Sequence, residues 1–364
     1  MEKKKICWIT PDYYLDTDLY IVPYLSRYFF IDWYIVYRGK FLYEKDVCLL
    51  EKSDSLVIYK SRICSRERSF KTFIAYFKIA VQIRKSSPNV IYTGIFSFPY
   101  AFLILKTVLR RLNIILPIHN VTTPKGASNF IFARWNTSKV LNTFENFHTF
   151  SKSQYEKLKQ LKPDKNVFYA PFLLKDYGKP SAQYNDKITF LNFGNIRDYK
   201  RIDVLIESAQ RAYELTKIEF LVEIAGNCDN WRRYQNLIRY PQLFRLNIRT
   251  IDNSEIPNLF ARSHYFIVPY QDIAQSGSTI ISINYSVPII ASNLEAFREY
   301  VIDGENGYFI RPASSEDLTA IIVNILYNHD KIYPDLVNGI NKMKNTNFST
   351  QVIVERYRKM FDSL

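Results

Sequence analysis

The chain has 364 residues, of which 47% are hydrophobic and 23% are charged, and its formal net charge is +14. This composition excludes a disordered protein, and the length allows two domains, each with its own core. The four cysteines have neither metal-type spacing nor an evident pairing, which favours a reducing compartment. The longest apolar run, residues 95–105, is too short for a spanning helix, and Lys3–Lys5 precede no signal-peptide core. We therefore expect a cytoplasmic protein.

The positive charge is concentrated in the first half of the chain. Residues 1–180 contain 29 Lys and Arg against 14 Asp and Glu, a net charge of +15, whereas residues 181–364 contain 20 against 21, a net charge of −1. A domain this basic implies a polyanionic partner, either nucleic acid or an anionic membrane leaflet. Because the basic half contains no nucleic-acid-binding motif, we expect no nucleic-acid partner and favour peripheral association with the inner face of the plasma membrane.

Strand-like and helix-like runs alternate along the whole chain, which predicts an α/β fold with parallel sheets covered by helices. The predicted strands of the first half are residues 5–10, 33–38, 89–94, 113–119 and 166–174. A short strand from Phe147 leads to a helix capped by Ser151 or Ser153. The turn-rich segment 176–186 is the predicted linker, because a second alternating series runs from Ile188 to about residue 330.

The segment 60–85 interleaves basic with apolar residues and predicts an amphipathic helix. Five apolar residues recur at helical spacing: Phe70, Phe73, Ile74, Phe77 and Val81. On another face Lys71, Lys78 and Lys85 recur every seven residues. Such a helix is able to lie on an anionic membrane surface, and the alternative is an ordinary helix that packs on the sheet with its charges in water.

Two segments of the second half each read as a strand or loop that feeds a helix N-terminus. FLNFGNIRDYK, residues 190–200, runs into Gly194 and then places Arg197 and Lys200 before an amphipathic run. QSGSTIISINYSVP, residues 275–288, begins with small residues. Backbone N–H groups and the helix dipole make such places anion sites, and Lys and Arg supply counter-charge. Together the two segments predict a site for a nucleoside diphosphate.

These motifs resemble those of the GT-B glycosyltransferases of family 4, the glycosyl transferases group 1. The resemblance rests on Gly194, Arg197, Lys200 and the following run 202–206, and continues through residues 218–228, 254–272 and 287–310. It implies a GT-B architecture of two Rossmann-like domains that face each other across a cleft. We assign residues 1–178 to an acceptor-binding domain, 179–345 to a nucleotide-sugar-binding domain, and 346–364 to a helix that crosses back to the first domain.

The sequence departs from the family at four positions. The two Glu residues that family members place beside the sugar and ribose correspond to Ile273 and Ile281. We interpret Gln275, Ser276 and Gly277 as the variant donor loop that some relatives carry instead. The Gly that follows the family's Lys is Arg201, and the Arg that often follows the first Gly is Asn195.

The resemblance also implies roles for individual residues. A His after the strand 113–119 lies near the acceptor or the sugar in family members, which makes His119 a candidate, with Asn120 and Lys125 on the acceptor side. The candidate catalytic residues are His119, Arg197 and Lys200, and the candidate donor-binding residues are Gly194, Asn195, Asp272, Gln275, Ser276, Gly277, Ser278 and Thr279. We expect no metal site and no cofactor, with the nucleotide sugar as a substrate.

The sequence thus predicts a metal-independent glycosyltransferase. It would move a sugar from a nucleotide-sugar donor to a lipid-linked or polysaccharide acceptor in bacterial surface polysaccharide assembly, with retention of configuration. A nucleotide-sugar epimerase on the same fold and a non-catalytic GT-B subunit remain the alternatives. Turnover without an acceptor would favour the epimerase, and donor binding without turnover would favour the subunit.

Overall fold

The computed structural model describes residues 3–41, 43–50, 54–66, 69–94, 101–121, 130–181, 186–273 and 276–364. The chain forms two compact units, one of residues 1–173 with 350–364 and the other of residues 174–349. Each unit is a parallel sheet covered by helices. The predicted α/β class is therefore confirmed.

The first unit contains seven strands in its described residues. They are β1 (Lys5–Pro11), β2 (Phe30–Tyr37), β3 (Leu56–Arg62), β4 (Val90–Thr93), β5 (Asn113–Ile118), β6 (Asn146–Thr149) and β7 (Asn166–Tyr169). Its helices are α1 (Leu15–Leu25), α2 (Glu44–Leu50), α3 (Phe70–Ser86), α4 (Ala101–Thr107), α5 (Phe130–Thr143) and α6 (Lys152–Leu161). The strand order is β3-β2-β1-β4-β5-β6-β7, so β1 and β4 are neighbours at the point where the order reverses.

The second unit repeats this plan with six strands in its described residues. They are β8 (Thr189–Phe193), β9 (Leu221–Ala225), β10 (Phe244–Asn247), β11 (Tyr265–Val268), β12 (Ile289–Ser292) and β13 (Gly307–Ile310). Its helices are α7 (Ile202–Thr216), α8 (Arg232–Gln235), α9 (Ile256–Ala261), α10 (Gly277–Asn284) and α11 (Ser315–Thr346). The order is β10-β9-β8-β11-β12-β13, and here the order reverses between β8 and β11.

The strands are apolar almost throughout because helices cover both faces of each sheet. In β1 every residue from Ile6 to Pro11 is buried. The aromatic side chain of Trp8 lies in register with Trp33 of β2 and Tyr92 of β4. The central strands of the first sheet thus bring three large aromatic residues together.

The last helix, α12 (Thr350–Asp362), belongs to the first unit. Its Phe361 packs edge-on against Phe29, with the ring centroids 5.6 Å apart. Lys4 Nζ donates hydrogen bonds to the carbonyl oxygens of Phe361 and Asp362, at 3.2 and 2.9 Å. A cation at the helix C-terminus satisfies carbonyls that have no partner within the helix.

Two details of the first unit bear on the sequence predictions. The structure places Lys60 and Arg62 on β3, a strand that the basic composition of this segment concealed, and the helix begins only at Phe70. Its cap is Ser69, whose hydroxyl accepts the Thr72 N–H at 3.2 Å. The predicted cap of α6 is confirmed as Ser151, which accepts the Gln154 N–H.

Candidate functional site

The loops after β8 and β11 meet at the carboxyl edge of the second sheet. From β8 the chain continues to β9 on one side, whereas β11 lies on the other side, so the two loops diverge. In open parallel sheets such a reversal opens a crevice where ligands bind. The Gln271 N–H donates to the Tyr199 carbonyl oxygen at 2.8 Å and ties the two loops together.

The first loop turns sharply at Gly194, which directly follows β8. Its φ is +108°, a conformation that side chains rarely adopt. A Cβ at this position would lie 3.2 Å from the Lys200 ammonium, so the glycine leaves room for the lysine. Gly226, which follows β9, is needed for a related reason, since a Cβ there would lie 2.2 Å from the Gly194 carbonyl oxygen. Sequence reasoning identified Gly194 and missed Gly226.

The Lys200 ammonium is the most unusual charge of this loop. Lys200 closes a short 3-10 helix, Asp198–Lys200, and only 8% of its surface is exposed. Among the described residues no acceptor or carboxylate lies within bonding distance of its Nζ, which sits 5.4 Å from the centroid of the Tyr270 ring. Burial, and secondarily the charge of Arg197, lowers the pKa of Lys200 to about 8. Although Lys200 stands just before a helix, where a lysine is ordinarily exposed, it is buried here because its side chain folds back over Gly194.

Arg197 and Arg201 are arranged differently from Lys200. Arg197 is exposed and forms an ion pair with Asp229 of the loop after β9. Arg201 has a backbone conformation in the left-handed region, with φ +52°. Its guanidinium donates hydrogen bonds of 2.8 to 3.1 Å to the Asp203 carboxylate. The left-handed backbone explains why a glycine suits this position in the family motif. Asn195 is exposed beside this loop.

The second loop leads into α10, whose N-cap is Ser276. The Ser276 and Ser278 hydroxyls lie 3.1 Å apart, and Ser276 is buried. The Thr279 hydroxyl is fully buried and has no hydrogen-bond partner among the described residues. Gly277 is exposed, and a Cβ there would meet nothing within 4 Å. The loop therefore combines a helix N-terminus with a buried hydroxyl, that of Thr279, which has no hydrogen-bond partner among the described residues.

Two further residues of this loop, Asp272 and Gln275, were predicted to bind the donor. Asp272 is exposed, whereas Gln275 lies outside the described residues. Ile281, at the position of the family's second Glu, is 5% exposed and faces the core from within α10. An isoleucine there contributes packing where the family places a carboxylate.

In the first unit, His119 directly follows β5 and forms part of an aromatic stack. Its ring lies 4.7 Å from that of Tyr14, with an angle of 10° between the planes, and 4.5 Å from that of Phe150. It lines a small recess at the carboxyl ends of β1, β4 and β5, which we call the first-unit recess. Asn120 is partly buried beside it, and Lys125 lies outside the described residues.

His148, on the neighbouring strand β6, is a structural residue. It is fully buried, and its Nε2 donates to the Ala170 carbonyl oxygen at 2.9 Å, so its Nδ1 accepts the Tyr92 hydroxyl at 2.7 Å. Burial lowers its pKa to about 3, and the imidazole is therefore neutral.

Helix α3 packs through only part of its apolar stripe, since Phe73 contacts the core of the first unit. The face that meets the sheet consists of Thr72, Ile79, Ala80 and Ile83. Phe70, Ile74 and Phe77 instead face solvent, with 71%, 38% and 42% of their surface exposed. Lys71, Lys78 and Lys85 are exposed as well. Of the two alternatives left open for this segment, packing on the sheet involves the buried face of the helix, whereas Phe70, Ile74 and Phe77 of the apolar stripe lie outside that face.

The described residues offer no cluster of three or more His, Cys, Asp or Glu side chains able to share a metal ion. Within the same residues, no helix has the length and apolar character needed to cross a bilayer. The positive charge at the β8–β11 crevice is supplied by side chains, Lys200 and Arg197.

Residues 175–340, nearly the whole second unit, match the family model described as glycosyl transferases group 1. These residues form a domain of that family. The chain is also 22% identical over 248 residues to an uncharacterized glycosyltransferase of Methanocaldococcus jannaschii. That alignment covers 67% of this chain and 58% of the relative, so it spans less than two thirds of the relative's length.

Solved structures resemble the whole chain. Anabaena HepE, crystallised with UDP-glucose, aligns over 99% of this chain and 100% of its own, with a TM-score of 0.72 and 13% identity. A point mutant of S. aureus TarM, crystallised with UDP, fondaparinux and a GlcNAc-glycerol, covers the same shares with a TM-score of 0.71 and 12% identity. These matches confirm the predicted GT-B fold.

Proposed function

We propose that the protein is a glycosyltransferase whose second unit binds a nucleoside-diphosphate sugar in the crevice between β8 and β11. The family of residues 175–340 supports glycosyl transfer. HepE and TarM were crystallised with UDP or UDP-glucose, which makes a uridine diphosphate sugar the first donor to test. Arg197 and Lys200 supply positive charge for a diphosphate, and the N-terminus of α10 supplies N–H donors and the positive end of the helix dipole.

The observation that carries this proposal is the buried ammonium of Lys200. A buried charge without a partner is costly, and its neighbourhood normally supplies an opposite charge. Here no described residue does so, whereas a bound diphosphate would. A diphosphate would also engage the N–H groups at the start of α10, which have no partner within the helix.

We further propose that transfer is metal-independent and retains configuration. When the bond from the anomeric carbon to the diphosphate breaks, negative charge develops on the leaving phosphate. Lys200, Arg197 and the helix dipole would stabilise that charge in the role that a divalent cation plays elsewhere. Retention rests on the family resemblance, and the stereochemistry of the product measures it directly.

The acceptor we propose is a lipid-linked or polysaccharide glycan of bacterial surface polysaccharide, reached at the inner face of the membrane. Its support is the exposed ridge of α3, which we define as Phe70, Ile74 and Phe77. Apolar side chains that project beside lysines suit the boundary between headgroups and acyl chains, where both kinds of side chain are satisfied. The net charge of +15 in residues 1–180 adds attraction to acidic lipids.

Vesicle binding tests the membrane part. Phe70→Ser together with Phe77→Ser should lower partitioning onto phosphatidylglycerol-rich vesicles by roughly 100-fold, because each aromatic side chain buried in the interface contributes on the order of 1.5 kcal/mol. Leu161→Ser is the matched control, since Leu161 is 53% exposed on α6 in the same unit. If the control lowers partitioning as much, or vesicles without acidic lipid bind equally, the ridge does not act as proposed.

A donor screen tests the central part. The purified protein is heated with UDP-, GDP- and other nucleotide sugars, and the best binder is then followed for release of nucleoside diphosphate with and without membrane glycolipid. We expect one donor class to raise the unfolding temperature and release to require the acceptor. Turnover without acceptor indicates an epimerase, binding without turnover indicates a non-catalytic subunit, and no thermal shift with any donor contradicts the proposal.

A further inference from the structure

Asp18 of α1 holds its carboxyl group at the first-unit recess, and every hydrogen bond recorded for it falls on one oxygen. Trp8 Nε1 donates to Oδ2 at 2.9 Å and Thr10 Oγ1 donates to the same atom at 2.5 Å. The Thr10 hydroxyl in turn accepts from Trp33 Nε1 at 2.7 Å. This chain of donors fixes the carboxyl group and leaves Oδ1 without a protein donor among the described residues.

The recess beside Asp18 is small, and the residues described in its lining include no Lys or Arg side chain. It has room for about one water-sized group, and it lies where the first sheet reverses its strand order, between β1 and β4. The rings of Tyr14, Tyr92, His119 and Phe150 form much of the wall. A phosphate or carboxylate would therefore meet the Asp18 carboxylate with no counter-charge from the described lining, and it would have too little room.

The groups around Asp18 also set its protonation. Burial raises its pKa to about 7, against the hydrogen bonds from Thr10 and Trp8, and Asp16 on the same helix raises it further. The other titratable groups that face it are the Tyr14 hydroxyl before α1, the Tyr92 hydroxyl on β4 and the Tyr357 hydroxyl on α12. His119 lines the same recess. The three tyrosine hydroxyls are neutral around pH 7, because burial raises the pKa of each of them.

We propose that the first-unit recess is a socket for a single neutral hydroxyl group of the acceptor sugar, and that Asp18 Oδ1 accepts the hydrogen bond from that hydroxyl. This proposal rests on the proposed function, because it assigns the part of the acceptor that enters the first unit. The proposal also separates two parts of the acceptor. Any phosphate or carboxylate group that binds the basic surface must lie outside the recess. Asp18 is thus a candidate determinant of acceptor specificity that the sequence analysis did not identify.

The test uses methyl α-D-glucopyranoside and its four monodeoxy analogues as neutral hydroxyl probes, with binding followed by ligand-detected NMR. At about pH 8.5 the Asp18 carboxylate is ionised, and at about pH 5.5 it is protonated, so wild-type affinity should fall about tenfold between the two. Asp18→Asn, which keeps the shape and can still accept from Trp8, should bind weakly at both pH values. One of the deoxy analogues should lack the hydroxyl group that enters the recess. That analogue should bind the wild-type protein as weakly as the parent sugar binds Asp18→Asn.

Asp16→Asn is the matched control, because it removes a neighbouring charge from the same helix but does not line the recess. At about pH 8.5, where Asp18 is ionised in both proteins, it should bind the parent sugar as the wild type does. A second measurement needs no substitution: the carbon-13 signal of the Asp18 carboxyl group should shift when the parent sugar is added.

Three results would overturn the proposal. They are equal binding by Asp18→Asn and the wild type at the higher pH, a sugar-insensitive Asp18 signal, and no wild-type binding of any neutral probe. UDP binding should be the same in all three proteins, since the donor crevice belongs to the second unit. If the wild-type protein does not bind UDP, that result contradicts the proposed function and does not affect the conclusion from the sugar titrations.

Discussion

Lys200→Met should have opposite effects on stability and on ligand binding. The pKa of the buried ammonium is lowered to about 8, whereas the unfolded chain holds the proton up to about 10.5. Because the folded state disfavours the charge, stability is reduced below about pH 8 and recovers as the pH rises through this window. At pH 7 the penalty is about 3 kcal/mol, since one pKa unit corresponds to about 1.4 kcal/mol.

Methionine has nearly the length of lysine and carries no charge, so Lys200→Met should raise the unfolding temperature at pH 7. The same change removes a charge-assisted hydrogen bond to diphosphate, which is worth about 1.5 to 3 kcal/mol. UDP affinity should therefore fall by roughly 10- to 100-fold. A variant that is more stable and binds less tightly is the signature of a charge kept for a ligand.

Calorimetry measures both quantities. Thermal unfolding without ligand gives the stability, and UDP titration at about pH 8 in two buffers gives the affinity and the proton uptake, which should approach half a proton for the wild type and vanish in the variant. Lys217→Met is the matched control, because Lys217 is an exposed lysine at the far end of α7. Loss of stability together with loss of affinity would refute the reasoning and indicate a structural lysine.

Four further substitutions test the loops around the crevice. Arg197→Ala should weaken UDP binding less than Lys200→Met does. Asp229→Asn should strengthen UDP binding a few-fold, because the free protein then no longer holds Arg197 in an ion pair. Equal UDP affinities of Asp229→Asn and the wild type, measured by the same titration, would contradict competition between Asp229 and the ligand. Gly226→Ala should destabilise the second unit by more than ~2 kcal/mol, since its Cβ would overlap the Gly194 carbonyl oxygen. Gly277→Ala should change stability by less than ~0.5 kcal/mol, because a Cβ there meets no other atom. Denaturant unfolding measures both changes, and similar losses of stability in the two variants would contradict this account of Gly226.

The fold was predictable because local pattern and tertiary environment agree. Strands such as residues 5–10 and 113–119 are continuously apolar, as the interior of a parallel sheet requires, and they appear as β1 and β5. β3 was missed because an edge strand is covered less completely and tolerates Lys60 and Arg62. The basic composition of that segment therefore concealed its strand character.

The site was predictable only where backbone chemistry leaves a trace in the sequence. Gly194 is visible because the loop needs a left-handed residue, whereas the need for Gly226 arises from a contact between two strands that are distant in sequence. The burial of Lys200 and the solvent-facing ridge of α3 depend on which side of an element meets the sheet. Asp18 escaped notice because its donors come from β1 and its recess from three further elements.

The central claim is that the β8–β11 crevice binds a nucleoside through its diphosphate. Titration of the wild-type protein with uridine, UMP and UDP under one buffer condition tests it most directly. The account predicts that affinity rises with each phosphate and that UDP binds at least roughly 100-fold more tightly than uridine, because the buried ammonium, Arg197 and the α10 N-terminus all act on phosphate oxygens. Equal affinities for uridine and UDP, or no binding of either, would contradict it.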